Sequence, residues 1–243
     1  METSDIQTLF EAGTHFGYTK ARRHPTATPY LFGTKDRTDI FDLEETGKRL
    51  DAAVAFVASL ATSGKQVLFV GGKNEVLSIV RTGAEAVGQP FVAGRWIGGT
   101  LTNFKNIRKR IDRLEKLIDE REKGELEKYT KKERLLIDRE IDELTGRFGG
   151  LVKMTDLPAA LFIVDTRHED TAVREASQLK IPVIGLASSD CDFSLIKYPI
   201  PGNDTSVRSV RFVVEAIAEG YAEGKHAHAT ATAIPKATAQ VEQ

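Results

Sequence analysis

Four short apolar runs are spread along the chain without a clean alternation of apolar and polar positions. They cover residues 66–70, 90–94, 160–165 and 181–186. Continuous apolar runs of this length predict strands that are buried on both faces of a parallel sheet. Apolar positions with helical spacing lie between and beyond these runs, over residues 43–62, 74–87, 167–179 and 205–222. The alternation predicts an α/β fold with a doubly wound, mainly parallel sheet of the flavodoxin or Rossmann kind.

Residues 104–148 break this alternation. Their apolar positions repeat with spacings of four and three residues; they are Ile107, Ile111, Leu114 and Ile118, then Ile137, Ile141, Leu144 and Phe148. A narrow apolar stripe among so many charged residues is typical of a coiled coil. Thr130 and Glu133 have capping-box spacing and predict that a second helix starts between the two halves. We therefore expect 104–148 to form an antiparallel coiled-coil hairpin inserted into the α/β domain.

The remaining boundaries follow from composition. Residues 1–103 and 149–224 would form the α/β domain on either side of the insertion. The tail 225–243 has few large apolar residues and is expected to be disordered. Its two histidines, His226 and His228, are a weak metal-binding signal. No secretory leader or membrane-spanning run is apparent, and a single cysteine fits a reducing compartment, so a soluble cytoplasmic protein is expected.

Charge is distributed unevenly along the chain, although the net charge is only −1. Residues 15–37 hold five Lys or Arg against one Asp, and 65–110 hold eight against two acids. The whole stretch 15–110 has a net charge of +7, whereas 111–224 has −6. Such segregation favours a polyanionic partner on one side of the molecule.

Chemistry-bearing residues at the strand ends leave an alternative open. The turn VGGK at 70–73 could cradle a phosphate through backbone N–H groups, although it matches neither common nucleotide-binding motif. Asp165 and His168 after one strand, and Asp190 and Asp192 after the next, could hold a metal or act as an acid–base pair. Cys191 lies between two aspartates, which should raise its pKa and disfavour a nucleophilic thiolate. We find no convincing catalytic constellation and expect no enzymatic activity and no cofactor.

The basic stretches are more informative than these strand ends. The segment 14–25 combines aromatic residues with a run of cations, and 30–37 continues it. Arginines and lysines in such segments pair with phosphates, and aromatic rings stack on bases or pack inward. For Phe16 and Phe32 we expect packing on the core. Trp96, the only tryptophan, should anchor the base of the hairpin.

A series of motifs resembles a known family. In chain order they are LFEAGTHFGY, FVGGKNE, GRWIGGTLTNF, LTGRFGGLVKMTDLPAALFIVD, IPVIG and YPIPGND. They are similar to the signatures of the bacterial-type ribosomal protein S2 family of the small subunit and cover roughly residues 8–222. Tyr18 stands where the family more often has a histidine, which puts in doubt a metal contact there together with His15.

The resemblance implies a structural role without catalysis. The expected partners are small-subunit rRNA and neighbouring ribosomal proteins, including ribosomal protein S1, with support for translation initiation. The rRNA contacts implied by the matching loops and their charge are Lys20, Arg22, Arg23, Lys35, Arg37, Lys73, Arg95, Lys105, Arg108 and Lys109. Two alternatives stay open at this stage: a nucleotide-binding α/β protein that uses the VGGK turn, and an adaptor that binds proteins through its hairpin.

Overall fold

A small antiparallel sheet opens the fold. The computed structural model describes residues 5–233. The strands of the small sheet are β1 (Phe16–Thr19), β2 (Leu31–Lys35) and β3 (Thr38–Phe41), with β3 in the centre. Two 3₁₀ helices, Lys20–Arg22 and Pro25–Tyr30, connect β1 to β2. The basic segments 14–25 and 30–37 therefore lie within regular structure, and the sheet holds their loops together.

A five-stranded parallel sheet forms the centre of the molecule. Its strands are β4 (Val67–Gly71), β5 (Phe91–Ala93), β6 (Ala160–Val164), β7 (Val183–Ala187) and β8 (Tyr198–Pro201). Their order in the sheet is β5-β4-β6-β7-β8. Every residue of β4, β6 and β7 is buried, which explains why their sequences do not alternate. The predicted parallel α/β sheet is confirmed.

Helices cover both faces of this sheet. They are α1 (Ile6–Glu11), α2 (Leu43–Thr62), α3 (Leu77–Val87), α4 (Phe104–Glu122), α5 (Lys131–Phe148), α6 (Asp170–Gln178) and α7 (Val207–Ala233). Apolar residues of α2, α3 and α7 pack with Val67 and Phe69 of β4 on one face. Residues of α4, α5 and α6 pack with Leu68 and Val70 of the same strand on the other face. Successive residues of β4 therefore point alternately into two cores, one on each face of the sheet, as in a doubly wound fold.

Helices α4 and α5 contact each other through the apolar positions predicted from the sequence. Ile111 and Leu114 of α4 and Ile141 and Leu144 of α5 are buried in the same cluster. Thr130 caps α5: its hydroxyl accepts from the N–H of Glu133, and the Glu133 carboxylate accepts from the N–H of Thr130. The capping box predicted at this position is confirmed.

Helix α6 begins later than the helical spacing over 167–179 predicts. Helix α6 begins only at Asp170, and the Thr166 hydroxyl is buried without a hydrogen-bond partner in the described structure. Asp165 instead closes the turn that precedes α6, because its Oδ1 accepts from the N–H groups of Arg167 and His168, both at 3.0 Å; the N-cap of the helix is Glu169, which makes no side-chain capping bond. Helix α3 also begins later than predicted, at Leu77.

The tail is helical further than the sequence suggested. Helix α7 continues to Ala233, so it includes residues 225–233 of the tail, and 234–243 lie outside the described residues. Alanines occupy every second position from 227 to 233 and favour the helix. His228 of α7 bonds the carbonyl of Thr62 through Nδ1 at 2.6 Å, which attaches the helix to the end of α2.

Two aromatic side chains of the small sheet lie on the surface. Phe16 is 49% exposed and Phe32 is 82% exposed, so the expectation that both pack on the core is wrong. Trp96, in contrast, is 8% exposed and belongs to the core that includes α4 and α5.

Within residues 5–233, no helix combines the length and the apolarity needed to cross a membrane.

Candidate nucleic-acid interface

Lys73 lies at the carboxyl edge of the parallel sheet, in the turn that follows β4. Its Nζ is 2.6 Å from Asp165 Oδ2 and 3.0 Å from Asp204 Oδ2. Asp165 follows β6 and Asp204 follows β8, so the ion triad ties together three strand ends. The Lys73 side chain is 15% exposed and both carboxylates are more deeply buried. Lys73, which the sequence analysis gave as an rRNA contact, is therefore paired with two acids of the protein itself.

The triad shifts the pKa of each member. Burial lowers the pKa of Lys73, but the carboxylates of Asp204 and Asp165 outweigh burial and hold that pKa above its usual range. Burial raises the pKa of Asp165, but Lys73 and two backbone N–H groups bring it below its ordinary value. Burial, followed by the charge of Asp165, raises the pKa of Asp204 to about 7. Two carboxylates thus compete for one internal cation.

Cys191 lies beside the triad. Its Sγ is 3.8 Å from Asp165 Oδ1, and burial followed by the charge of Asp165 raises the pKa of the thiol to about 12. The predicted direction of this shift is confirmed, but its main cause is burial. In the described part of the chain, Asp165, Cys191 and Asp204 form the only group of three or more His, Cys, Asp or Glu side chains placed closely enough to share a metal ion. The Lys73 ammonium already lies against both carboxylates.

Two arginines converge on Asp190, which follows β7. Arg167 Nη1 lies 2.7 Å and Arg22 Nη2 lies 3.6 Å from Asp190 Oδ2. The carboxylate is 4% exposed, whereas both arginine side chains are just over half exposed. The Arg22 guanidinium also lies over the ring of Tyr18, 4.5 Å from its centroid. Because two cations share one acid here, positive charge remains at the surface.

Arg23 has a different environment from Arg22. Its guanidinium forms two hydrogen bonds with the buried carboxylate of Asp39 in β3 and a third, at 2.7 Å, with the hydroxyl of Thr34 in β2. The hydrogen bond with Arg23 is the main cause that lowers the pKa of Asp39. Arg23 is therefore a structural link between the basic loop and the small sheet.

Glu175 of α6 holds the glycine-rich loop before α4. Its carboxylate accepts from the indole Nε1 of Trp96 at 3.1 Å and from the backbone N–H groups of Gly99, Leu101 and Thr102 at 2.7–3.0 Å. Burial raises the pKa of Glu175, but these donors outweigh burial and bring it below the ordinary value. The predicted anchoring of the loop by Trp96 thus has a partner that no local sequence signal identifies.

The cations at the start of α4 fall into two groups. Arg108 donates to Asp112 at 2.7 Å, to Glu115 and to the carbonyl of Val152 at 3.1 Å, and its side chain is 24% exposed. Lys105 and Lys109 are exposed. Arg108 therefore links α4 to the loop after α5, whereas Lys105 and Lys109 face solvent.

Arg95 lines a cavity of about 550 Å³ beside the edge strand β5. Arg81, Arg147 and Lys153 also line this cavity, and of these Arg81 and Arg147 are paired with Glu85 and Glu143. Sequence reasoning missed Arg147, which lies in the last turn of α5, and Lys153, which follows the insertion in the chain. Their proximity to Arg95 depends on the chain returning to β5 after α5.

The remaining predicted contacts lie at one end of the small sheet. Asp36 and Arg37 form the turn between β2 and β3 with φ values of 49° and 65°. The N–H of Lys20 donates to the carbonyl of Arg37 at 2.8 Å, which brings the two loops together. In residues 5–233, the exposed predicted cations without an ion pair are Lys20, Lys35, Arg37, Arg95, Lys105 and Lys109.

Comparison with known proteins places this geometry in context. Residues 9–224 match the family model described as ribosomal protein S2. The small ribosomal subunit protein uS2 of Coprothermobacter proteolyticus is 40% identical over 225 residues, which cover 93% of this chain and 84% of the relative. The uS2 protein of Roseiflexus sp. is 42% identical over 221 residues, covering 91% and 84%. That of Petrotoga mobilis is 41% identical over 225 residues, covering 93% and 78%.

Proposed function

The chain belongs to the ribosomal protein S2 family, and from this premise we propose that it is a structural constituent of the small ribosomal subunit in the cytoplasm. It binds small-subunit rRNA through exposed cations of its basic segments and contacts neighbouring ribosomal proteins. The family is structural, so the chemistry of the interface is charge pairing rather than catalysis.

The observation that carries the rRNA proposal is the grouping of Lys20, Lys35 and Arg37. All three are exposed, and none forms an ion pair within the described residues. A folded protein gains nothing from unpaired like charges placed together, whereas a phosphate backbone neutralises them with release of counterions. We therefore assign the first rRNA contact to this end of the small sheet, with Arg22 at its margin.

A second set of proposed contacts lies near the start of α4. Arg95, Lys105 and Lys109 are exposed, and Arg95 shares its cavity with the exposed Lys153. Glu175 fixes the loop that carries Arg95 into α4. Lys73, Arg23 and Arg108, which have buried or multiple internal partners, support these surfaces and are left out of the proposed contact set.

We also propose the domain division. Residues 1–103 and 149–224 would form the rRNA-binding α/β domain, and 104–148 would form an inserted antiparallel coiled-coil hairpin. The shared burial of Leu114, Ile141 and Leu144 supports this arrangement. So does the ion pair between Arg113 of α4 and Glu140 of α5, at 3.2 Å.

Protein neighbours are the second part of the proposal. Leu135 and Leu136 of α5 are 51% and 53% exposed, a surface that another ribosomal protein could cover. The family resemblance further suggests that the protein helps to recruit ribosomal protein S1 and so supports initiation. The adaptor hypothesis is therefore compatible with rRNA binding.

A charge-reversal comparison tests the rRNA contact. The test protein carries Lys20→Glu, Lys35→Glu and Arg37→Glu; the matched control carries Lys48→Glu, Lys65→Glu and Lys197→Glu, also exposed positions with the same change of charge. Each tagged protein is expressed beside the native copy, and lysates are separated on sucrose gradients. We expect the control to travel with small subunits and the test protein to stay at the top. Equal occupancy of the two would refute the assigned contact.

A further inference from the structure

The outer face of the small sheet has an unusual composition. Phe16 of β1 and Gly33 of β2 both pair with Ile40 of β3, one from each side. Directly opposed residues of neighbouring strands point to the same face, so these three positions form one row across the sheet. Phe16 is 49% exposed, and Ile40 is partly exposed. This face of the sheet is therefore apolar and open to solvent.

Phe32 extends this apolar surface because of an irregularity in β2. Leu31 pairs with Phe41 and Gly33 pairs with Ile40, so Phe32 is an extra residue with no partner across the strands. A bulge of this kind changes the direction in which a side chain points. Phe32 is 82% exposed, the highest value among the large apolar side chains within residues 5–233. Nothing in the fold requires a phenyl group at this position.

Gly33 leaves space next to Phe32. Apart from its two chain neighbours, a Cβ built on Gly33 would meet no atom within 4 Å. The row from Phe16 across Ile40 to Gly33 spans about 10 Å, two strand spacings. The surface above Gly33 is therefore open, which leaves room for a flat ring beside the exposed Phe32.

Positive charge borders the same surface. Lys35 pairs with Thr38, which is two residues before Ile40 in β3, so Lys35 points to the same face as the apolar row. Arg37 follows in the turn, and both cations are exposed without an ion pair in the described part of the chain. An apolar protein partner would desolvate these cations without compensation. Unpaired nucleotides offer both an aromatic face and a phosphate.

We infer that Phe32 stacks on an unpaired base of small-subunit rRNA, with Gly33 providing the space for the base. Lys35 and Arg37 then hold the adjoining phosphates. The inference rests on the proposed function and deepens it, since it states which form of the RNA this surface recognises: a nucleotide outside a helix, because bases inside a helix expose no face for stacking.

The test measures binding of the purified full chain to small subunits depleted of their own copy, over a series of salt concentrations. The variants are Phe32→Trp, Phe32→Leu and Phe32→Ala, with Lys35→Ala as the charge control. Because Phe32 is so exposed, none of these should alter thermal unfolding, which is measured alongside.

We expect Phe32→Ala and Phe32→Leu to weaken binding between about fivefold and a hundredfold, the range for loss of one stacked base. Neither should change the slope of affinity against salt, because no counterion is involved. Phe32→Trp should bind at least as tightly as the wild type. Lys35→Ala should reduce the salt slope by about one.

Two results would overturn the inference while leaving the proposed function intact. In the first, Phe32→Ala binds as tightly as the wild type, so nothing stacks on the ring. In the second, Phe32→Leu keeps full affinity while Phe32→Ala loses it, which indicates burial against a protein neighbour. If the wild type itself fails to bind depleted subunits at every salt concentration, the proposed function fails and the inference fails with it.

Discussion

The carboxylate of Glu175 accepts a hydrogen bond from the indole Nε1 of Trp96 at 3.1 Å, across 79 positions of the chain. The same carboxylate accepts three backbone N–H groups of the loop that follows Trp96. One side chain of α6 thus satisfies the donors of a glycine-rich loop that would otherwise be mobile. The loop leads into α4, so this bond fixes the position from which α4 starts.

Replacing Glu175 should loosen that loop. Glu175→Gln removes the charge and one acceptor oxygen, and leaves buried N–H groups without partners. We expect a loss of about 1–3 kcal/mol in the free energy of unfolding. Urea denaturation measures the loss, and the fluorescence of Trp96, the only tryptophan, reports the loop itself. Glu143→Gln, at an exposed position of α5, is the control and should change neither. A Glu175→Gln protein with unchanged stability would argue against this anchoring.

Lys73 should be essential for stability rather than for rRNA binding. Lys73→Met leaves Asp165 and Asp204 buried without their cation, and we expect it to cost about 3–5 kcal/mol. Adding Asp165→Asn and Asp204→Asn should recover most of this loss, because the uncompensated charges are then gone. Thermal unfolding of the single and triple variants measures both effects. A Lys73→Met protein that is fully stable but absent from small subunits would instead place Lys73 on the rRNA.

The pKa of Asp204 predicts how stability depends on pH. Its folded pKa of about 7 lies above the ordinary value for an aspartate, so between about pH 4 and 7 the folded state binds the extra proton. The contribution of Asp204 to stability therefore falls as pH rises through this window, by on the order of 1–3 kcal/mol. Asp165, whose pKa is lowered, changes the stability only below about pH 4.

The comparison of wild type with Asp204→Asn isolates this effect, since all other titrating groups are shared. Urea unfolding at pH 5 and pH 7.5 should show that the wild type loses stability relative to the variant. A difference between the two proteins that stays constant with pH would contradict the shifted pKa.

Arg108 and Lys109 are neighbours with opposite expected roles. Arg108→Glu places a third acid beside Asp112 and Glu115 and removes the hydrogen bond to the Val152 carbonyl, so it should cost about 1–2 kcal/mol of stability. Lys109→Glu should leave stability within about 0.5 kcal/mol and weaken association with the small subunit. Thermal unfolding and gradient sedimentation of both variants separate the two roles. The proposal for Lys109 fails if its variant keeps full occupancy.

Much of the parallel sheet could be predicted because its central strands are buried on both faces and read as unbroken apolar runs. Strand β8 was missed because Pro199 and Pro201 interrupt its pattern. The structure places β8 at the edge of the sheet, where a missing N–H is tolerated. The small sheet was missed because its strands are short and partly exposed, and because β1 and β2 each contain a glycine.

The candidate site was less accessible to sequence reasoning. The positive charge of 15–37 and 94–110 could be read directly from the sequence. Which cations form internal ion pairs could not, because partners such as Lys73 and Asp204 are 131 positions apart. Arg23 looked like its exposed neighbours because its partner Asp39 is 16 positions away, and the link from Arg108 to the carbonyl of Val152 spans 44 positions. Likewise, Phe32 could be recognised as surface-exposed only from the bulge in β2, which depends on the register with β3.

The most direct test of rRNA binding is ultraviolet cross-linking of assembled small subunits, followed by mass spectrometry of the peptides of this protein that carry nucleotides. We predict cross-links within residues 14–37 and 94–109, where the exposed cations and aromatic rings lie. Cross-links confined to α2 and α7, on the opposite face of the sheet from α4 and α5, would contradict the proposed interface.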